Sequence, residues 1–151
     1  MLIQARYAAW MSYETLDPAG ARERLNGEPP YTFLDVRTPE EFEAGHPPGA
    51  YNIPYLFRGP GGAQPNASFL AQVQKHFDTS TSLVLGCAVG VRSAHACELL
   101  AGAGFGSLVN MDGGYSGRHD PSTNSLIEGW ESRGFPTSTT PEAGRTHAEL
   151  K

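Results

Sequence analysis

Short apolar runs alternate with helical segments along this chain, and that alternation is the feature that most constrains its fold. The runs at residues 31–36, 82–86 and 107–110 are rich in branched and aromatic side chains, which is typical of buried strands. A further short strand is predicted around Tyr51 and Asn52. Strands separated by helices usually pair in parallel, so the sequence predicts an α/β fold with helices on both faces of a parallel sheet.

Capping residues and apolar spacing place the helices between these strands. The first helix begins at Asp17-Pro18 and closes near residue 26, and Thr38, Pro39 and Glu41 form the capping box of a second that ends near Gly45. A third follows Asn66, its predicted N-cap, and a fourth starts near Arg92 and stops at Gly104. Residues 57–66 are predicted to be a loop because glycine and proline dominate them.

Charge and composition exclude several classes of function. The chain carries 11 Lys and Arg against 16 Asp and Glu, a net charge of −5, which argues against nucleic acid and anionic membrane surfaces as partners. Two cysteines and five scattered histidines provide no zinc-site spacing, so no metal and no cofactor is expected. The first ten residues are too short and interrupted for a signal peptide, which favours a cytoplasmic, reducing location.

The predicted organisation is one domain with short extensions. We expect an N-terminal extension over residues 1–11, a domain over 12–137 with an inserted turn or hairpin near 117–129, and a flexible C-terminal tail over 138–151. The tail prediction rests on the Ser, Thr, Pro and Glu content of that segment.

The candidate chemistry lies in one loop. Cys87 directly follows a predicted buried strand, and a helix begins about five residues later. Ligands of open α/β sheets bind beyond the carboxyl ends of strands, where loop amides and a helix N-terminus stabilise negative charge. We therefore predict that Cys87 is a nucleophile whose thiolate is stabilised there. The predicted substrate-binding loop consists of Ala88, Val89, Gly90, Val91, Arg92 and Ser93. Two roles stay open for Arg92, as a cation for an anionic group and as a residue that holds the loop.

The remaining candidates are assigned supporting or structural roles. Asp35 and Arg37 lie at a neighbouring strand end and are predicted to support the loop electrostatically. Arg58 is predicted to be a solvated surface charge and His46 to hold a turn. His95 is expected on a helix flank, away from Cys87, and Cys97 is expected to pack rather than to pair with it.

Three sequence blocks resemble the rhodanese-type sulfurtransferases. The first comprises Leu34-Asp35-Val36-Arg37, Glu41-Phe42, Gly45-His46, Gly49-Ala50, Asn52 and Pro54. The second is the Cys87 to Ser93 loop, and the third is Gly113-Gly114-Tyr115. The blocks follow in the family's order between about residues 31 and 137, and the layout is similar to that of single-domain rhodaneses.

The resemblance implies a three-layer α/β/α fold around a five-stranded parallel sheet. It also implies that Cys87 takes a sulfane sulfur from a donor such as thiosulfate and passes it, as a persulfide, to cyanide or a thiol. The implied partners are this small donor and acceptor, or a thioredoxin-like or other sulfur-accepting protein.

Two departures from the family pattern bear on the substrate. Ala88 and Val89 stand where thiosulfate-using rhodaneses often carry a basic residue, and residues 117–129 separate the glycine pair from Trp130. Three alternatives stay open: a persulfide relay to a partner protein, a binding module, and a phosphatase or arsenate reductase of similar fold. The last class needs five residues between cysteine and arginine, whereas four separate Cys87 from Arg92.

Overall fold

The computed structural model describes residues 13–151, and the predicted extension over residues 1–11 lies outside them. Within residues 13–151, five parallel strands form the central sheet: Tyr13–Leu16 (β1), Thr32–Asp35 (β2), Tyr51–Asn52 (β3), Leu83–Gly86 (β6) and Leu108–Met111 (β7). They lie in the order β1-β7-β6-β2-β3. The predicted α/β fold with a five-stranded parallel sheet is confirmed.

In the described part of the chain, five helices accompany the sheet: Pro18–Leu25 (α1), Pro39–Ala44 (α2), Phe69–His76 (α3), Val91–Gly102 (α4) and His147–Leu150 (α5). Apolar side chains alternate between the two faces of each strand, because successive side chains of a strand point to opposite sides. On one face Leu34 and Leu85 pack with residues of α3 and α4, and on the other Phe33 and Val84 pack with residues of α1 and α2. The molecule therefore has three layers.

Among the residues that the structure describes, two antiparallel hairpins lie outside the sheet. Leu56–Gly59 (β4) pairs with Gly62–Pro65 (β5), so the segment predicted to be a loop is a hairpin. Arg118–Asp120 (β8) pairs with Ser125–Ile127 (β9), inside the predicted insertion. Composition alone suggests a loop at 57–66 because glycine and proline favour turns. It does not reveal that the four residues on each side of the turn pair as strands.

Other differences from the sequence predictions are local. Ser68, not Asn66, is the N-cap of α3, while the side chain of Asn66 accepts a hydrogen bond from the amide of Ser68. Strand β1 was not anticipated from its sequence, Tyr13-Glu14-Thr15-Leu16, and it completes the sheet by pairing with β7.

The C-terminal segment packs against the domain, in contrast to the predicted flexible tail. Ser138 forms a β-bridge with His46, and the amide of Asn52 donates to the carbonyl of Arg145 at 2.9 Å. Leu150 is only 3% exposed within the core, and His76 Nε2 lies 2.6 Å from its carbonyl. A single apolar side chain at the right position anchors this segment despite its polar composition.

Candidate active site

Cys87 lies where the parallel sheet directs its loops to one edge. It directly follows β6, and the strands on either side, β2 and β7, end at the same edge in Asp35 and Met111. Its side chain is 1% exposed. Because parallel strands share their carboxyl ends, this edge gathers the three sequence blocks.

The Cys87 sulfur faces the inside of the loop. It accepts hydrogen bonds from the amide of Gly90 at 3.1 Å and from that of Ser93 at 3.4 Å, and it lies 3.3 Å from the hydroxyl oxygen of Ser93. Gly90 is the residue before α4 and has φ +112°, a conformation that an L side chain rarely adopts. Amides directed at a sulfur atom stabilise its thiolate.

The turn after β7 holds the carbonyl groups of the loop on its outer side. The amides of Tyr115, Ser116 and Gly113 donate to the carbonyls of residues 87, 88 and 89 at 2.8, 2.8 and 3.2 Å. Within residues 13–151 the amides of Ala88, Val89, Val91 and Arg92 donate no hydrogen bond, unlike those of Gly90 and Ser93. A loop whose carbonyls are engaged and whose amides are free is suited to bind an anion.

Gly114 makes this close packing of two backbones possible. Its φ is +58°, and a β-carbon there would collide with the carbonyl oxygen of Cys87 and lie 2.6 Å from the carbonyl carbon and oxygen of Ala88. The glycine pair of the third sequence block therefore acts as the backing of the Cys87 loop.

Arg92 is bound by Glu41 of α2. Its Nη1 and Nη2 donate to the two carboxylate oxygens at 2.8 and 3.0 Å, and Arg92 is 8% exposed. Burial acts against ionisation of Glu41, but the hydrogen bonds and charge of Arg92 outweigh it and lower the pKa of Glu41 to about 2. The sequence left open whether Arg92 binds an anionic group or holds the loop, and the structure shows its guanidinium bound by a carboxylate.

Asp35 and Arg37 form a buried ion pair next to the loop. Arg37 Nη2 donates to Asp35 Oδ2 at 2.7 Å and to the carbonyl of Gly45 at 2.7 Å. The guanidinium carbon of Arg37 also lies 4.3 Å from the ring centre of Tyr115, whose amide holds the Cys87 carbonyl. The pair thus reaches the loop through Tyr115, and the supporting role assigned to it from the sequence stays a prediction.

Among the described residues, the other candidates make no hydrogen bond to the Cys87 sulfur. The ring of His95 is exposed, 4.0 Å from Glu98, and Arg58 is exposed on β4. His46 Nδ1 lies 2.7 Å from the carbonyl of Phe42, at the turn it was predicted to hold. Cys97 is buried, and burial together with the nearby Cys87 raises the pKa of its thiol.

A cavity of about 370 Å³ opens at the opposite edge of the sheet, where β2 and β3 begin. Its lining includes Arg22, Tyr31, Tyr51 and Trp130, but neither Cys87 nor any residue of its loop. In the part of the chain that the structure describes, no group of three His, Cys, Asp or Glu side chains could hold a metal ion. No helix there has the length and apolar character to span a bilayer.

Comparison with known proteins decides the family. Residues 17–120 match the Rhodanese-like domain. The chain is 42% identical over 107 residues to thiosulfate sulfurtransferase 16, a chloroplastic protein of Arabidopsis thaliana, covering 71% of this chain and 79% of that protein. The chain belongs to the rhodanese family.

Two further similarities are informative for this rhodanese. It is 39% identical over 103 residues to the mitochondrial protein High Arsenic Content 1 of Arabidopsis thaliana, covering 68% of this chain and 60% of that protein. The crystal structure of Rv0390 from M. tuberculosis shares its fold, with a TM-score of 0.69 at 24% identity, over 84% of this chain and 98% of that one.

Two residues of the site were not identified from the sequence of this rhodanese. Glu41 was assigned to a capping box and to the first sequence block but not to the Cys87 loop, although it binds Arg92, and Asn110 was assigned only to a strand. Asn110 accepts a hydrogen bond from the Ser93 hydroxyl at 2.6 Å. A polar residue inside a short buried strand was the available signal, since buried polar groups almost always have a partner nearby.

Proposed function

We propose that this rhodanese is a sulfurtransferase that moves a sulfane sulfur from a donor such as thiosulfate to cyanide or a thiol through a persulfide on Cys87. The observation that carries the proposal is the pair of amide hydrogen bonds, from Gly90 and Ser93, to the Cys87 sulfur. The related protein named a thiosulfate sulfurtransferase supports the same chemistry.

The two steps balance without an external oxidant or reductant. In the first, the Cys87 thiolate attacks the outer sulfur of thiosulfate, an S–S bond forms on Cys87, and the S–S bond of thiosulfate breaks to release sulfite. In the second, cyanide or a thiolate attacks the outer sulfur of the persulfide, which regenerates the Cys87 thiolate. The product is thiocyanate or a new persulfide.

The free amides of the loop are suited to these two reaction steps. In the persulfide the negative charge resides on the outer sulfur, one bond beyond Cys87 Sγ. Amides of residues 88, 89, 91 and 92, which have no acceptor among the described residues, provide donors for that charge. Preorganised amides of this kind stabilise charge without rearranging during the reaction.

Loop size and the engaged arginine argue against the phosphatase and arsenate reductase alternative. Four residues separate Cys87 from Arg92, one fewer than such enzymes need, and Arg92 is bound to Glu41 rather than directed to an incoming oxyanion. The name of the relative High Arsenic Content 1 nevertheless makes arsenate a necessary comparison substrate.

The decisive experiment is the intact mass of the protein after exposure to thiosulfate or to a low-molecular-weight persulfide. We expect the wild type and Cys97→Ala to gain one sulfur atom, about 32 Da, and to lose it as thiocyanate when cyanide is added. Cys87→Ser should gain nothing. Absence of added sulfur with both donors, or addition that survives in Cys87→Ser, would overturn the proposal.

The same samples separate the alternatives. Turnover of p-nitrophenyl phosphate or arsenate that exceeds sulfur transfer would favour the phosphatase or reductase. A stable persulfide that is released to a thioredoxin-like or other protein thiol but not to cyanide would favour a relay to a partner protein.

A further inference from the structure

A buried chain of three polar side chains leads away from the Cys87 sulfur. Cys87 Sγ lies 3.3 Å from Ser93 Oγ, and Ser93 Oγ lies 2.6 Å from Asn110 Oδ1. All three residues are buried. The proposed function uses Cys87 and Ser93. Asn110, one residue before the end of β7, makes no hydrogen bond to the sulfur and reaches it only through Ser93.

The second hydrogen bond of Asn110 determines how its amide is oriented. Asn110 Nδ2 donates to the carbonyl of Gly90 at 3.3 Å, and a carbonyl can only accept. The oxygen of the amide must therefore face Ser93, and an amide oxygen also can only accept. The single hydrogen of the Ser93 hydroxyl is consequently directed at Asn110.

This arrangement leaves only a lone pair of Ser93 Oγ facing Cys87. The lone pair can accept a hydrogen bond from the neutral thiol, but it offers nothing favourable to a thiolate. For Ser93 to donate to the thiolate, its hydroxyl must rotate and leave the buried Asn110 oxygen without a partner, which is unfavourable.

We propose that Asn110 is a positioning residue that withholds the Ser93 hydroxyl from the Cys87 thiolate. The inference rests on the proposed function in taking Cys87 as the nucleophile. A thiolate with fewer hydrogen bonds is a stronger nucleophile, whereas in the persulfide Cys87 Sγ has no hydrogen and the charge lies on the outer sulfur. Asn110 thus favours the persulfide over the free thiolate.

Other charged or titratable groups near the sulfur remain the same when Asn110 is replaced. Those next to the loop or coupled to it are Arg92 and Cys97 on α4, Glu41 on α2, Asp35 at the end of β2, Arg37, Tyr115, and Asp112 with its partner Arg118. Replacing Asn110 also removes its bond to the Gly90 carbonyl, so the part of the change in Cys87 ionisation that requires Ser93 reports the hydroxyl.

The test is the pH profile of Cys87 alkylation by iodoacetamide, measured in a Cys97→Ala background so that one thiol reacts. Asn110→Leu removes the acceptor while keeping the number and branching of side-chain heavy atoms, and it frees the hydroxyl, so the midpoint of the profile should shift by roughly one unit toward acid. The thiolate rate well above the midpoint should fall. If Asn110→Leu does not fold, Asn110→Ala is measured in its place.

A second background separates positioning from structural support. When Ser93→Ala is combined with Asn110→Leu, the shift between the Asn110 and Leu forms should vanish, because no hydroxyl remains to be released. An equal shift in both backgrounds, or no shift in either, would overturn the inference. Alkylation needs no sulfur donor, so this result is independent of whether the protein forms a persulfide.

Discussion

The carboxylate of Glu41 binds the guanidinium of Arg92 through both oxygens, across 51 residues of chain. Two of the sequence blocks are joined by this pair, since Glu41 lies on α2 and Arg92 at the start of α4. Fork-to-fork pairing of this kind is among the stronger charged interactions. It ties the Cys87 loop to its neighbour and neutralises the cation of the loop.

Releasing Arg92 should therefore improve the use of a doubly charged donor. In Glu41→Gln the guanidinium keeps its charge but loses its ionic partner, so we expect the KM for thiosulfate to fall about three- to tenfold. Glu40→Gln, next in sequence but exposed, is the matched control and should leave the KM unchanged. A rise in KM for Glu41→Gln would show that Glu41 assists the reaction by placing Arg92.

The same pair should contribute to stability in a pH-dependent way. The pKa of Glu41 is lowered to about 2 in the folded protein, so its contribution is complete above its ordinary value near 4.5 and is lost as the pH falls toward 2. We expect the free energy of unfolding of the wild type to exceed that of Glu41→Gln by about 1–2 kcal/mol at pH 7, since water partly screens the pair.

Urea denaturation at pH 7, 4 and 2.5 measures this difference. The gap between the two proteins should narrow steadily below pH 4 as the carboxylate takes up its proton. A gap that stays constant with pH would contradict the ionic origin of the contribution.

Gly114→Ala should disturb the loop directly. The added β-carbon collides with the Cys87 carbonyl and also requires a residue with a side chain at φ +58°. We expect a loss of about 2–4 kcal/mol in unfolding free energy and at least a tenfold slower persulfide formation. Gly106→Ala, where no atom lies within 4 Å of the new carbon, is the control and should change neither. Normal persulfide formation in Gly114→Ala would show that the backing is dispensable.

Leu150→Ala should destabilise the whole domain. Leu150 is buried against the core, so its truncation should lower the free energy of unfolding by about 2–4 kcal/mol. Leu126→Ala, on the exposed face of the second hairpin, with the residue 65% exposed, should cost less than about 0.5 kcal/mol. Equal effects of the two variants in urea denaturation would mean that the C-terminal segment does not hold to the core in solution.

Local signals in the sequence were sufficient for most of the fold. The capping box at Thr38 and the apolar strands around Leu34 and Leu85 are set by neighbours in the chain, and they appear in the structure where they were predicted. Strand β1 and the C-terminal segment could not be predicted in this way, because each is held by distant partners, β7 and the core around Leu150. The polar composition of the C-terminal segment indicates that most of its residues are solvated, but it does not show that Leu150 packs against the core.

The same distinction applies to the active site. Cys87 and its glycine-containing loop are contiguous in sequence, so the proposed nucleophile and the amides proposed to bind an anion could be located from position alone. The partners that adjust them come from other elements: Glu41 on α2 and Asn110 on β7. Spacing along the chain carries no information on which carboxylate meets an arginine 51 residues away.

The pairing of Asn52 with Arg145 has a consequence for how this protein behaves when concentrated. Strand β3 is the outermost strand on its side of the sheet and is two residues long, and Arg145 already occupies one of its outward amides. A strand from another molecule would therefore find few free backbone groups on β3 with which to pair. The C-terminal segment thus covers this edge of the sheet and disfavours edge-to-edge aggregation.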